Sequence, residues 1–189
     1  GIVWVARRMP DDMISAHANH SRIRQFPLKD KENCLYSKDV ISFARKKGYF
    51  TGKDKDFSFS EAYAPIDFGA KRYCEARVWS FFNKWAAENM KPYLPYAMGE
   101  DVNPETKQPI DGIPHEMPLW VKPKQFLSTQ DVKDMMRDHY EGTPMDITEG
   151  LGSLPWKMPY RVTPLSYKVD GKEYFNERPI STVQSSAIY

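Results

Sequence analysis

Apolar residues crowd the first positions of the chain, Ile2, Val3, Trp4, Val5 and Ala6. They then thin into alternation, with Ile14, Ala16 and Ala18 separated by Ser15, His17 and Asn19. A run that is apolar at every position predicts a strand covered on both faces, and strict alternation predicts a strand with one apolar and one polar side. Between the two lies Met9-Pro10-Asp11-Asp12. Proline fixes φ and aspartate hydrogen-bonds nearby backbone, the ingredients of a tight turn. The expectation is a buried β-hairpin of residues 2–7 and 13–19, with Ser15, His17 and Asn19 as a polar row on its second strand. Because that row leads into Ser21, Arg22 and Arg24, it is where a site is expected.

The period then changes. Ser37 can cap a helix over residues 38–47, with Val40, Ile41 and Ala44 on one face and Gly48 at its end. A lysine-rich turn at 51–56 precedes a short helix within 57–63, opened by Ser58 or Ser60. Across 71–90, Cys74, Val78, Phe81, Phe82 and Trp85 recur at helical spacing, and Pro92 closes that helix. Prolines at 92, 95, 104, 109 and 114 make 92–116 an expected exposed loop or insertion. Ser128 and Asp131 read as a capping box for a further helix, with Val132, Met135, Met136 and Tyr140 on its buried face and Gly142 at its end. Asp170-Gly171 between two β-like runs signals a two-residue hairpin, and 180–189 reads as a last strand. Strands, then helices, then strands again predict an α+β fold, one domain over residues 1–189, with antiparallel pairing rather than a doubly wound sheet.

Composition narrows the function classes. Hydrophobic residues make up 41% of the chain and aromatics 14%, enough for a packed core. The 27 Lys and Arg are interspersed among 25 Asp and Glu, so a formal net charge of +2 leaves no basic stripe for nucleic acid. No apolar run has the length of a membrane span, and neither nucleic acid nor membrane is an expected partner. No targeting segment is visible in these residues, which leaves the compartment open. The chain opens on strand-like residues at Gly1 and stops within another such run at Tyr189, so it is expected to be a fragment of a longer protein.

Residue types alone locate little chemistry. His17 and His20, three apart, face opposite sides of a strand and converge only where the strand ends between them; His139 and Glu141 would be remote ligands. Short histidine spacings are more often accidental, and no metal is expected. Cys34, in a charged connection, and Cys74, on an apolar helix face, read as small buried hydrophobes rather than nucleophiles. In Arg137-Asp138-His139-Tyr140-Glu141-Gly142-Thr143, Arg137 and His139 suit the negative end of a helix and Gly142 a left-handed cap; a catalytic His139–Glu141 pair is the competing reading. There is no phosphate loop, nucleotide fingerprint or Gly-x-Ser-x-Gly.

Three stretches nevertheless resemble one family. GIVWVARRMPDDMISAHANHSRI, PLWVKPKQFLSTQDVKDMMRDHYEGTPMDIT and NERPISTVQSSAIY are similar, in order, to segments of cysteine dipeptidases of the N-terminal-nucleophile (Ntn) hydrolase superfamily, relatives of penicillin V acylase and bile-salt hydrolase. RDHYEGTP is the most specific of these words, and the proline-rich 92–116 region is an expanded loop beside them. The resemblance implies a four-layer αββα sandwich, a dipeptide substrate and no cofactor. It implies an N-terminal Cys that attacks the peptide carbonyl with its own α-amino group as base, and donors that hold the oxyanion. Here Gly1 stands first, and the family's nucleophile strand lies upstream of this segment, so an isolated chain is expected to be inactive. Asn19 resembles the asparagine lining the oxyanion side of the pocket. Arg22 and Arg178 are candidates for binding a substrate carboxylate, with structural ion pairs to Glu177 or Glu141 as the competing reading. Open sheet edges predict self-association. The rival classes are a binding or structural domain that kept the fold without the chemistry and, behind it, a histidine-based metal hydrolase.

Overall fold

In chain order the elements are β1 (Val5–Arg7), β2 (Cys34–Tyr36), α1 (Val40–Lys46), α2 (Phe59–Tyr63), α3 (Phe68–Ala70), α4 (Ala76–Met90), α5 (Leu94–Ala97), α6 (Thr129–Met135), β3 (Ser166–Val169) and β4 (Lys172–Phe175). The computed structural model describes residues 2–159, 166–175 and 177–181. Among these the class is α+β, with antiparallel pairing in two small sheets, β1–β2 and β3–β4.

The apolar stripe over 71–90 becomes the axis of the main core. A π-helical turn, Lys71–Glu75, leads into α4, whose Ala76, Val78, Trp79, Phe82, Ala86 and Met90 are buried against Tyr96, Met117, Val121, Tyr140, Met145 and Ile147. Each large side chain buried this way contributes about 1.5–3 kcal/mol. Helical geometry breaks at Ala86 (φ −143°, ψ 43°). The Trp85 carbonyl accepts instead from the Lys124 N–H at 3.0 Å, and the Met90 carbonyl from Trp79 Nε1 at 2.9 Å. Acceptors orphaned at the end of a helix thus find partners. A second core gathers Val40, Ile41 and Ala44 of α1 with Phe57 and Ala62.

The expected opening hairpin does not form. A turn is present, with Met13 N–H bonding Pro10 C=O at 3.1 Å, but β1 pairs with β2 in the register Val5↔Tyr36, Ala6↔Leu35, Arg7↔Cys34. Ile14 goes elsewhere, bridging to Val121. The alternation itself holds, since Ile14, Ala16 and Ala18 pack on the main core while His17 and Asn19 are exposed. Docking that apolar side against α4 takes residues 13–19 away from β1. Nor is β1 covered on both faces, because Ala6 is exposed between half-buried Val5 and Arg7, and in the lead-in Ile2 is 86% and Trp4 45% exposed.

Elsewhere local signals and structure agree more closely. Ser58 caps α2, and Ser128 with Asp131 forms the capping box of α6. α1 starts at Val40 after Asp39 rather than at a Ser37 cap, because Ser37 Oγ instead accepts from the Trp4 N–H at 3.3 Å. α6 ends at Met135, well before Gly142, and Val132 is 44% exposed. The 92–116 region is only partly an exposed loop: Tyr96 and Ala97 of α5 lie in the core, and Asp101 is fully buried against Lys71 and His115. The β3–β4 hairpin turns at Asp170 (φ 50°) and Gly171 (φ 77°), the two left-handed residues a type I′ turn requires. Most of the expected strand at 180–189, from 182 onward, lies outside the described residues.

Candidate active site

The extended segment that carries the polar row is fixed at one end by Ile14, which exchanges both backbone hydrogen bonds with Val121 at 2.8 and 3.1 Å. It ends at Asn19 in the left-handed region, φ 58°. That conformation costs a residue with a Cβ about 1–2 kcal/mol, and asparagine tolerates it because its short amide hydrogen-bonds locally. The partner here comes from α4. Arg77 Nη2 donates to Asn19 Oδ1 at 2.8 Å and to the Ala18 carbonyl at 3.5 Å, while Arg77 Nε donates to the Tyr73 carbonyl at 2.6 Å. Asn19, His17 and Arg77 form the polar end of a cavity of about 440 Å³. The rest of its lining is apolar, with Phe81 from α4, Val132 and Met135 from α6, and Met136 and Ile180.

Arg178 meets the same turn of chain. Its guanidinium lies over the Tyr73 ring, 4.8 Å from the centroid, and its backbone carbonyl accepts from the Tyr140 hydroxyl at 2.6 Å. Between the two arginines sits Cys74. Burial pushes its thiol above the usual value, and the charges of Arg77 and Arg178 pull the other way. The thiol is therefore not activated, in keeping with its reading as a small hydrophobe. Cys34 is buried and its thiol is likewise pushed up by burial.

Arg22 lies across the Lys71–Arg77 stretch, in a different pocket of about 310 Å³. Its Nε bonds Glu75 Oε1 at 2.9 Å with both side chains only 4% exposed; its Nη2 donates to the Pro118 carbonyl at 3.0 Å. At the mouth of this pocket Arg24 bridges Glu61 (2.8 Å) and Glu116 (2.6 Å). His20 also lines it, with both ring nitrogens buried and without hydrogen-bond partners among the described residues. Of the sequence-predicted site residues, then, Asn19 and Arg178 come to one neighbourhood and Arg22 does not. Arg22 pairs with Glu75, and Glu177 pairs with Arg72.

The Arg137–Thr143 run divides by burial. Tyr140 is buried at φ 64°, and Asp138 accepts a hydrogen bond from Ser80 of α4, its carboxyl held above the usual range by burial. His139 and Glu141 instead make a local surface clamp, in which Glu141 accepts the His139 N–H at 2.8 Å and faces its Nδ1 at 3.1 Å. Neither lines the cavity beside Asn19. No group of three or more His, Cys, Asp or Glu suited to a metal ion occurs among the described residues.

Arg77 is the residue that sequence reasoning missed. The signal was there: it lies three residues after Cys74 and four before Phe81, a charge on the apolar face of the helix. Buried charges are ordinarily paired. Among the described residues Arg22 and Glu75, Lys71 and Asp101, and Arg72 and Glu177 are so paired, while Arg77, 9% exposed, has no carboxylate within 4 Å.

The chain belongs to peptidase family C69, whose model matches residues 1–188. It is similar to a probable dipeptidase of Salmonella dublin, 28% identical over 77% of this chain and 30% of that protein. It is similar also to a probable dipeptidase of Latilactobacillus sakei, 26% identical over 86% of the chain and 30% of the relative. A dipeptidase of Bifidobacterium longum (strain NCC 2705) is 25% identical over 84% and 29% respectively. The chain thus spans less than a third of the length of these relatives.

Proposed function

We propose that the full-length protein is a cysteine-type dipeptidase of the Ntn kind and that residues 1–189 supply one wall of its active site. The observation that carries this reading is Asn19, a left-handed residue at the polar end of a cavity, on the segment that resembles the family's oxyanion side. Backbone strain of this sort persists where surrounding structure enforces it and collects at functional sites. In this mechanism the thiol of an N-terminal Cys, upstream of these residues in the family pattern, adds to the peptide carbonyl and its α-amino group takes the proton. Asn19 Nδ2 donates to the oxyanion that forms. As the intermediate collapses and its C–N bond breaks, the protonated α-amino group returns its proton to the leaving nitrogen of the second residue. The free α-amino group then takes a proton from the water that adds to the thioester, and collapse releases the acid and the Cys thiol.

The two arginine candidates separate. Arg178, with its guanidinium on the Tyr73 ring and no carboxylate within 4 Å among the described residues, supports a role in binding the substrate carboxylate. Arg22 has that fork occupied by Glu75, so as a substrate ligand it would have to exchange partners. The exposed Leu35 of the β1–β2 sheet, with Ile2 and Trp4 exposed on the segment leading into it, supports an αββα sandwich in which further layers cover it; in isolation that apolar surface and the open edges favour self-association. The test is direct. Full-length protein hydrolyses dipeptides and loses that activity when its N-terminal Cys is replaced by Ala, while residues 1–189 alone are inert. Turnover by the isolated segment at the parent's rate would sink this assignment.

A further inference from the structure

A guanidinium carries five N–H donors and no acceptor. The Asn19 atom 2.8 Å from Arg77 Nη2 therefore has to be the carbonyl oxygen, since a flipped amide would set NH2 against N–H. Arginine thus decides an orientation that most amide environments leave open. Asn19 Nδ2, the other end of that amide, finds no hydrogen-bond partner among the described residues, and Asn19 lines the 440 Å³ cavity. Next to it sits the buried Arg77 charge, which has no carboxylate within 4 Å among the described residues. Arg77 is itself held still, by Tyr73 C=O on one side and Ala18 C=O on the other.

We propose that Arg77 is a positioning residue: it locks the Asn19 amide with its donors facing the cavity and leaves an uncompensated positive charge behind them. The pair is thereby preorganised for negative charge that develops on a carbonyl oxygen. This inference rests on the dipeptidase reading and deepens it. The other anion available, the free carboxylate of a dipeptide, is present before reaction, so contacts to it are read in KM, whereas contacts to a developing oxyanion are read in kcat.

The experiment uses the full-length protein. Turnover of a dipeptide, and of the same dipeptide amidated at its C-terminus, is compared for wild type, Asn19→Ala, Arg77→Met, Arg77→Lys and the Asn19→Ala/Arg77→Met double variant. Arg77→Met should lower kcat about 10- to 100-fold on both substrates, with KM changed less than about twofold. Arg77→Lys, which keeps a donor-only cation, should recover most of that loss. In the Asn19→Ala background Arg77→Met should cost several-fold less than it does alone, because the amide it positions is gone and only its charge is still lost. The full loss repeated in the double variant, or a KM rise confined to the free-carboxylate substrate, overturns the proposal. A second readout needs no activity: the ¹⁵N–¹H pair of the Asn19 side-chain amide should shift in Arg77→Met and move little in Arg77→Lys. If Arg77→Met does not fold, Arg77→Gln serves, since glutamine offers donor and acceptor and releases the amide. An unmoved amide pair overturns the lock. Absent wild-type turnover with the shift intact overturns the dipeptidase reading and leaves the lock standing.

Discussion

The two pockets to which Glu75 and Arg77 contribute, one polar around Arg22 and one largely apolar beside Asn19, handle charge oppositely. In the first, Arg22 meets Glu75, and Arg24 is shared between Glu61 and Glu116, so each cation is matched. In the other, Arg77 has no carboxylate within ion-pair distance among the described residues, and Arg178, near the same half-buried Cys74 but outside the cavity wall, has none either. Burying two matched charges in an interior is roughly neutral for stability, whereas an unmatched one is a standing cost. A fold that keeps such a cost next to a strained asparagine is organised for something other than its own stability. On the function proposed above, the matched pocket is architecture and the unmatched one is where substrate binds.

That contrast predicts different kinds of damage. The largest effect on stability belongs to the matched side: Arg22→Met strands Glu75 in the core and should destabilise the protein by about 3–5 kcal/mol, measured by urea unfolding. A loss under about 1 kcal/mol would mean the pair is not the structural element described. On the unmatched side Asn19→Ala should cut kcat of the full-length protein about 100- to 1,000-fold, the scale of one lost oxyanion donor, and lower stability by only about 1–2 kcal/mol, the left-handed cost that alanine does not offset. Comparable losses of stability and turnover in both variants would erase the distinction.

Smaller effects sharpen it. Asp138, beside Ser80, has its carboxyl held above the ordinary value of 3.8, with burial as the cause. A group whose folded value is raised contributes stability below its unfolded value, and that contribution is lost as pH rises through the folded one. Asp138→Asn should therefore flatten the stability profile above the ordinary carboxyl value of 3.8, where wild type loses ground as pH rises through the raised folded value. Urea midpoints across that range check it, and parallel curves would refute it. Last, Ser128→Ala removes the capping box of α6 and should cost about 1 kcal/mol. Because α6 carries Met135 of the cavity wall, hydrogen exchange should quicken there and stay unchanged in α1.

What could be read in advance followed from local rules. The Ser58 and Ser128 caps, the Asp170-Gly171 turn and the stripe of α4 are written in a few neighbouring residues, and they form. The alternation at 14–19 correctly divided core from surface, yet its strand partner was misassigned. Pairing Ile14 with Val121 and Val5 with Tyr36 depends on residues far apart in sequence, which no local period encodes. The site was legible in the same uneven way. Asn19 stood out as the end of a polar row, but Arg77 is significant only because no carboxylate among the described residues pairs with it, and that is a property of three-dimensional neighbours. Arg22 shows the converse, for its sequence setting beside the polar row gave no hint that Glu75 would claim it.

The central claim is that substrate belongs to the unmatched pocket. A crystal structure of the full-length protein, with its N-terminal Cys replaced by Ala and a dipeptide bound, tests it most directly. The account predicts the scissile carbonyl oxygen about 3 Å from Asn19 Nδ2. A dipeptide seated instead against Arg22 and Glu75, with Asn19 still pointing at empty solvent, would contradict it.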